Sequence, residues 1–362
     1  MWKRAAGHRH LLSCLALIQG VPLEAQMVQG RVLDEESRRG TPGAVVLLLD
    51  SGGQQRQAVL TSEEGLFRFT VPRPDQYSLR AEMIGRRSVE TELFHAVAGE
   101  ASRHDLVLPA SPIRLAGLEV SGETRCRGDL ESARSVYLVW SEVAKALRAT
   151  EVTSGAPSRQ FRIAEYDRRR AKNSLEVVEE FVSESDVNGA PAPFVSLPPS
   201  DLADRGYIRE ERGGTWIYGP STEALLSPEF QETHCLSLER SRSQPGTIGI
   251  GFEPVPGRTV PDIRGVLWVD EQSAELRTLE FQFDNVPETL MRGDYEGAAE
   301  FRRLDAGDWI IKRWWLRSPD LDNLHQIKER AGELVQPGKP RERSARSAAS
   351  PPAALDRAER DN

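Results

Sequence analysis

Downstream of position 25, the residues with chemistry to offer are four histidines, two cysteines and a set of tryptophans near the C-terminal end. His95, His104, His234 and His325 lack the His-Glu-x-x-His or His-x-x-Glu spacing that sets two ligands on one face for zinc. There is no Gly-x-Ser-x-Gly turn to raise a nucleophilic serine. Gly246 to Gly251 is rich in glycine but lacks the Lys-Ser/Thr ending of a phosphate loop, so it reads as a strand or bulge. His234 beside Cys235 could activate a thiol, but neighbours on a strand point to opposite faces. Arg127-Gly128-Asp129 has the form of an adhesion tripeptide, yet Asp129 has a better use as a helix cap. The acid pairs Asp201 with Asp204 and Glu179 with Glu180 read as solvated surface. No catalytic residue, metal ligand or cofactor is expected.

The aromatic set is the one feature that suits a ligand. Trp140, Trp268, Phe281, Trp309 and Trp315 could face an acyl chain or stack on sugar rings, against the simpler reading that they are core. With 28% charged residues and a net charge of −8 over 362 residues, the chain lacks the basic footprint of a nucleic-acid binder.

Lys3, Arg4 and Arg9, then the apolar run Leu11 to Val21, then Leu23-Glu24-Ala25 before Gln26, have the form of a signal peptide cleaved between Ala25 and Gln26. The apolar run is shorter than the roughly 20 residues a membrane span needs, and no transmembrane segment is expected in the mature chain. Cys14 would be discarded with the signal, leaving Cys126 and Cys235, which an oxidising compartment favours as a disulfide.

Residues 27–120 read as seven short strands broken by turn chemistry such as Ser51-Gly52-Gly53 and Glu63-Glu64-Gly65, the pattern of a β-sandwich. Val28-Gln29-Gly30-Arg31-Val32, Pro42-Gly43-Ala44-Val45-Val46-Leu47, Thr61-Ser62-Glu63-Glu64-Gly65-Leu66-Phe67 and Tyr77-Ser78-Leu79 resemble, in order, the carboxypeptidase-regulatory-like domain, a transthyretin-like sandwich. Gln76 stands where that family usually has Gly before the Tyr, a departure in the local turn. The resemblance implies an accessory module without catalytic residues, of the sort found beside metallopeptidases, outer-membrane receptors and secreted surface proteins.

Residues 121–158 form a linker whose amphipathic helix runs from Asp129 to about Thr150, with Ala133, Val136, Trp140, Val143, Ala144 and Leu147 on one face. Residues 159–325 return to β-type alternation, cleanest at Leu279, Phe281 and Phe283, and predict a curved antiparallel sheet covered by the helix. The Pro- and Ala-rich Gly189 to Leu202 stretch reads as a long surface loop. Trp268 to Leu279 resembles the strand-turn-strand of half-barrel lipoprotein chaperones. With Glu300 to Leu304 and Trp309 to Trp315 it is still more similar to an uncharacterised C-terminal region that often follows this sandwich in exported bacterial proteins. Residues 326–362, poor in large apolar groups, are expected as a disordered tail.

The expectation is therefore a mainly β chain: sandwich, linking helix, curved sheet. It would act as an exported binding or structural module in the periplasm, at the outer-membrane periphery or outside the cell, with an envelope protein, a glycan or a lipid as partner. A periplasmic carrier holding a hydrophobic ligand in the second domain, or a hydrolase accessory subunit, are the alternatives.

Overall fold

The computed structural model describes residues 26–340 except 72, 98, 119–125, 127–129, 157–158, 191, 213, 242–243, 291–294, 306 and 324. The expected signal segment, the Asp129 cap and the tail beyond 340 lie outside the described residues.

The sandwich is built from β1 (Gln26–Asp34), β2 (Val45–Asp50), β3 (Gln55–Leu60), β4 (Leu66–Val71), β5 (Asp75–Glu82), β6 (Val89–Glu90), β7 (Phe94–Ala96), β8 (Ala101–Arg103) and β9 (Leu106–Leu108). One sheet has the order β4-β1-β8 with β9 also on β1, the other β3-β2-β5-β6 with β7 also on β5. Nine short strands thus replace the seven expected. β6 and β7 are separated where the Leu79 N–H donates to the Thr91 hydroxyl at 3.0 Å, a side chain taking over a ladder bond. On β1, Val28 and Val32 point into the core, and Gly30 between them is required by close approach: a Cβ there would lie 1.7 Å from the His104 carbonyl oxygen.

β2 departs from alternation. All of Val45 to Leu49 are buried, because Val46 and Leu48 enter the sandwich core while Val45, Leu47 and Leu49 enter a second core on the opposite face. A strand covered on both sides reads as a continuous apolar run.

The second core is organised by α1 (Leu130–Ser154). It continues past the predicted end at Thr150 and is buried nearly all round, with Val139, Val143, Ala146 and Leu147 fully enclosed, because it lies between the β2 face of the sandwich and the C-terminal sheet. Its buried Glu142 and Lys145 pair at 2.6 Å, and each also bonds the sandwich: the Gly85 N–H donates to Glu142 at 2.8 Å and Lys145 donates to the Arg86 carbonyl at 2.6 Å. Such a pair is tolerable away from water only with its remaining groups satisfied.

The C-terminal half contains β10 (Arg159–Ala171), β11 (Val177–Asn188), α2 (Pro199–Arg205), β12 (Ile208–Glu211), β13 (Gly214–Ile217), α3 (Thr222–Leu226), α4 (Pro228–Thr233), β14 (His234–Arg240), β15 (Thr247–Pro254), β16 (Asp262–Asp270), β17 (Leu276–Asp284), β18 (Glu296–Arg303), β19 (Trp309–Pro319) and β20 (Gln326–Pro340). Nine of these strands make one open antiparallel sheet in the order β11-β10-β20-β19-β18-β17-β16-β15-β14; β12 and β13 form a separate hairpin. Ser221 and Ser227 cap α3 and α4, accepting from the N–H groups of Ala224 and Phe230.

Two expectations are corrected here. Residues 326–340 are not the start of a disordered tail but β20, paired on one side with β10 and on the other with β19. Its charges are met across strands: the nearly buried Glu329 accepts from Arg168, Arg170 and Arg317 at 3.2, 2.8 and 2.6 Å. The 189–202 segment is not a surface loop throughout, since Phe194 is buried and meets Phe281 and Trp314 edge-on at 5.4 and 5.7 Å between ring centroids.

Candidate functional site

On the C-terminal sheet, alternation divides each strand between the face that packs on α1 and the face turned away from it. Leu279, Phe281 and Phe283 of β17 enter the core, so Glu280 and Gln282 emerge on the outer face. Strand register then aligns a row across that face: Ser237, Gly251, Val266, Glu280, Ala298, Trp315 and Ala331 are successive cross-strand partners from β14 to β20. Gly251 and Ala298 are small members of this row beside Val266, Glu280 and Trp315, and Ala331 ends it on β20. The row running Arg264, Gln282, Glu296, Arg317 and Glu329 stands beside it.

The result is a groove of about 740 Å³ over β14 to β19. At Gly251 the side chains of Glu239 and Ser237 close over the bare backbone: a Cβ there would lie 2.7 Å from Glu239 Oε1 and 2.8 Å from Glu239 Cγ and Ser237 Oγ. Trp315 forms one wall, with the Arg317 guanidinium stacked 3.9 Å from its ring centroid. Arg317 also bonds Glu296 at 3.1 Å. Glu239, Glu253 and Glu280 line the same groove, and among the described residues none of the three makes an ion pair. The arrangement offers carboxylate acceptors, the Gln282 amide and an indole wall. It can accept hydrogen bonds from hydroxyl or ammonium groups.

Beyond the groove, Glu329 anchors the neighbouring strands. Burial pushes its carboxyl up, but the guanidinium groups of Arg170, Arg317 and Arg168 outweigh this and hold it below its ordinary value.

The five aromatics singled out in the sequence do not share one cavity. Trp140, Phe281 and Trp309 are packed in the core that contains α1. Trp268 and Trp315 lie on the outer face; Trp268 sits over Gly249 and donates its indole N–H to Glu280 at 3.2 Å, while Trp315 lines the groove. Glu239, Glu253 and Gln282 were not singled out, and of these only Gln282, between Phe281 and Phe283, carried a signal in the alternation of β17.

Cys126 and Cys235 are bonded, with Cα atoms 5.4 Å apart, and this ties the segment before α1 to β14. His234 turns the other way. Its Nε2 is 3.2 Å from Asp262 Oδ1, its Nδ1 is 3.1 Å from the Phe230 carbonyl oxygen, and its ring stacks on Phe230 at 4.0 Å. Asp262 is also held by Arg258 and by the Ile263 N–H at 2.8 Å. Burial pushes the neighbouring Tyr207 phenol well up, with Asp262 adding to the rise and Arg258 opposing it. The space among these groups is about 10 Å³, too small to admit a substrate, so the cluster fastens α2 and α4 to the sheet.

Residues 27–109 match the carboxypeptidase regulatory-like domain. No curated protein matches the chain. Among solved structures, the dioxygenase domain of a carbohydrate-binding fusion from Streptomyces sp. SirexAA-E is 15% identical over 26% of this chain and 84% of its own, with a TM-score of 0.20. The Bacillus anthracis TIE protein is 12% identical over 55% of this chain, which spans only 32% of TIE, at 0.21. A DUF3823 family protein from Bacteroides ovatus ATCC 8483 is 8% identical over 63% of this chain and 91% of its own, at 0.19. TM-scores of this size describe no common overall fold. The 27–109 sandwich is a carboxypeptidase regulatory-like domain, joined through α1 to an open nine-stranded sheet.

Proposed function

We propose that this chain is an exported, non-catalytic binding module that takes a hydroxyl-rich ligand, a glycan of the cell envelope, on the outer face of its C-terminal sheet. The observation that carries the reading is the outer-face groove over β14 to β19, lined by Glu239, Glu253, Glu280, Gln282 and Trp315. Sugar hydroxyls are donors that carboxylates and amides accept, and an indole wall suits the apolar face of a pyranose ring. The Cys126–Cys235 bond fits an oxidising compartment, and no helix among the described residues is long and apolar enough to cross a membrane. Packing of Trp140, Phe281 and Trp309 into the core beside α1 speaks against a hydrophobic carrier using that space.

Isothermal titration of chito- and cello-oligosaccharides into the purified protein tests the reading. Binding of at least one series is expected, and it should be lost in Trp315→Ala with little change in melting temperature. Absence of binding across both series, or binding unchanged in Trp315→Ala, would remove the groove from consideration. Intact mass of the exported protein, expected to start at Gln26 and to lack two hydrogens, checks export and bridging together.

A further inference from the structure

The two edges of the nine-stranded sheet are finished differently. At one end β14 has seven residues, follows directly on α4, and carries the bonded Cys235. At the other end β11 has twelve residues, Val177–Asn188, and is exposed along nearly its whole length. Val178, Phe181 and Val182 are 57%, 65% and 51% exposed. Natural edges are blunted by lysine, proline, bulges or short length. From Val177 to Asn188 there is no Lys, Arg or Pro, and the one irregularity against β10 lies at the start, beside Arg169 and Arg170.

The two faces of this edge differ in chemistry. Phe181 shares a face with Asp167, and there a cleft of about 470 Å³ separates the sheet from the β12–β13 hairpin, with Phe181, Trp216, Ile217 and Leu316 in its lining. Trp216 is 53% exposed. Glu180, Val182, Glu184 and Asp186 occupy the other face. Of the β11 acids, Glu179, Glu180 and Asp186 are paired with Arg169, Arg168 and Arg162 of β10. A second copy added through the same edge would set two strands, each with four carboxylates, along one seam.

We infer that β11 is the docking edge for an extended basic segment of a partner protein, which adds as a tenth strand. Its backbone pairs with β11, its alternate apolar side chains enter the cleft between Phe181 and Trp216, and its intervening Lys or Arg side chains face Glu184, which makes no ion pair among the described residues, and the Arg168–Glu180 and Arg162–Asp186 pairs on either side of it. This surface is separate from the groove over β14 to β19 and does not depend on what that groove binds.

The probe is a twelve-residue peptide in which Lys alternates with Val or Thr, compared with the same peptide carrying Glu, or Gln, in place of Lys. Binding is followed by Trp fluorescence and by amide hydrogen exchange of the full-length protein. The Lys peptide should slow exchange across 177–188, weaken with added salt, and bind at least tenfold more weakly to Val182→Lys, a change at a half-exposed position that leaves the fold intact. Equal binding of the Glu or Gln peptide, or protection elsewhere than β11, would overturn the inference. So would a dimer of the unliganded protein that Val182→Lys dissolves, because the edge would then serve a second copy.

Discussion

The sandwich and the nine-stranded sheet solve the burial of a β-sheet face in opposite ways. The sandwich closes its own core with two sheets, around Val28, Val32, Leu48, Phe69 and Leu79. Among the described residues the nine-stranded sheet is not closed by a second large sheet; the β12–β13 hairpin, α2, α3 and α4 share its core. It covers one face with α1 and, behind the helix, with the far side of the sandwich through Val45, Leu47 and Leu49. Its other face stays open and holds the groove. A sheet covered on one side leaves a second face for the binding role proposed above, whereas the sandwich packs its two sheets on each other. Val45, Leu47 and Leu49 of the sandwich therefore share a core with residues on the far side of position 120.

The largest test of this shared core is the Cys126–Cys235 bond, which crosses 109 residues and ties the segment before α1 to the β14 edge. A loop of that size contributes about 4 to 5 kcal/mol in the chain-entropy model. Reduction should lower the denaturation midpoint by a corresponding amount. A midpoint unmoved by reduction would show that the tie adds nothing to the packing around α1.

A sharper test uses adjacent residues of β2. Leu47→Ala and Leu48→Ala should each cost about 2 to 5 kcal/mol by urea denaturation, as buried leucines do. Their effects on hydrogen exchange should separate. Leu47→Ala should loosen α1 and the C-terminal sheet, and Leu48→Ala the β1 and β4 strands, because the two side chains enter different cores. Identical exchange patterns would mean that the faces are not distinct.

A smaller effect is expected within the C-terminal sheet. Glu329→Gln removes the charge and replaces one of the two oxygens that accept from Arg168, Arg170 and Arg317 with a donor NH2, and should cost about 1 to 3 kcal/mol near neutral pH. The folded carboxyl lies below its ordinary value of 4.5, so its contribution is present above that value and fades as pH falls through the lower folded value. The difference between wild type and Glu329→Gln should therefore shrink in acid. A gap that widened there would reverse the assigned sign.

Much of the covered face could be read in the sequence, and less of the open one. Alternation at Leu279, Phe281 and Phe283 announced β17, and the unbroken run Val45 to Leu49 held the double burial of β2. β20 was hidden because Lys328, Glu329, Arg330 and Glu333 resemble the composition of the residues that follow; their partners lie on other strands and loops, Glu329 on Arg168, Arg170 and Arg317, Glu333 on Arg313, Lys328 on Asp320 and Arg330 on Asp167. Phe194 was obscured in the same way, inside a Pro- and Ala-rich stretch whose clamp, Phe281 and Trp314, lies far along the chain. The groove needs the register of six strands at once, and periodicity within one strand does not carry that.

The most direct measurement crosses the two faces: Leu47→Ala and Gly251→Val, each assayed for melting temperature and for binding of whichever oligosaccharide the wild type takes. Gly251→Val should push the Glu239 and Ser237 side chains aside and abolish binding with a smaller loss of stability than Leu47→Ala, which should melt earlier and, where folded, bind as wild type does. Full binding by Gly251→Val, or loss of binding by folded Leu47→Ala, would contradict the division between a covered face that holds the fold and an open face that holds the ligand.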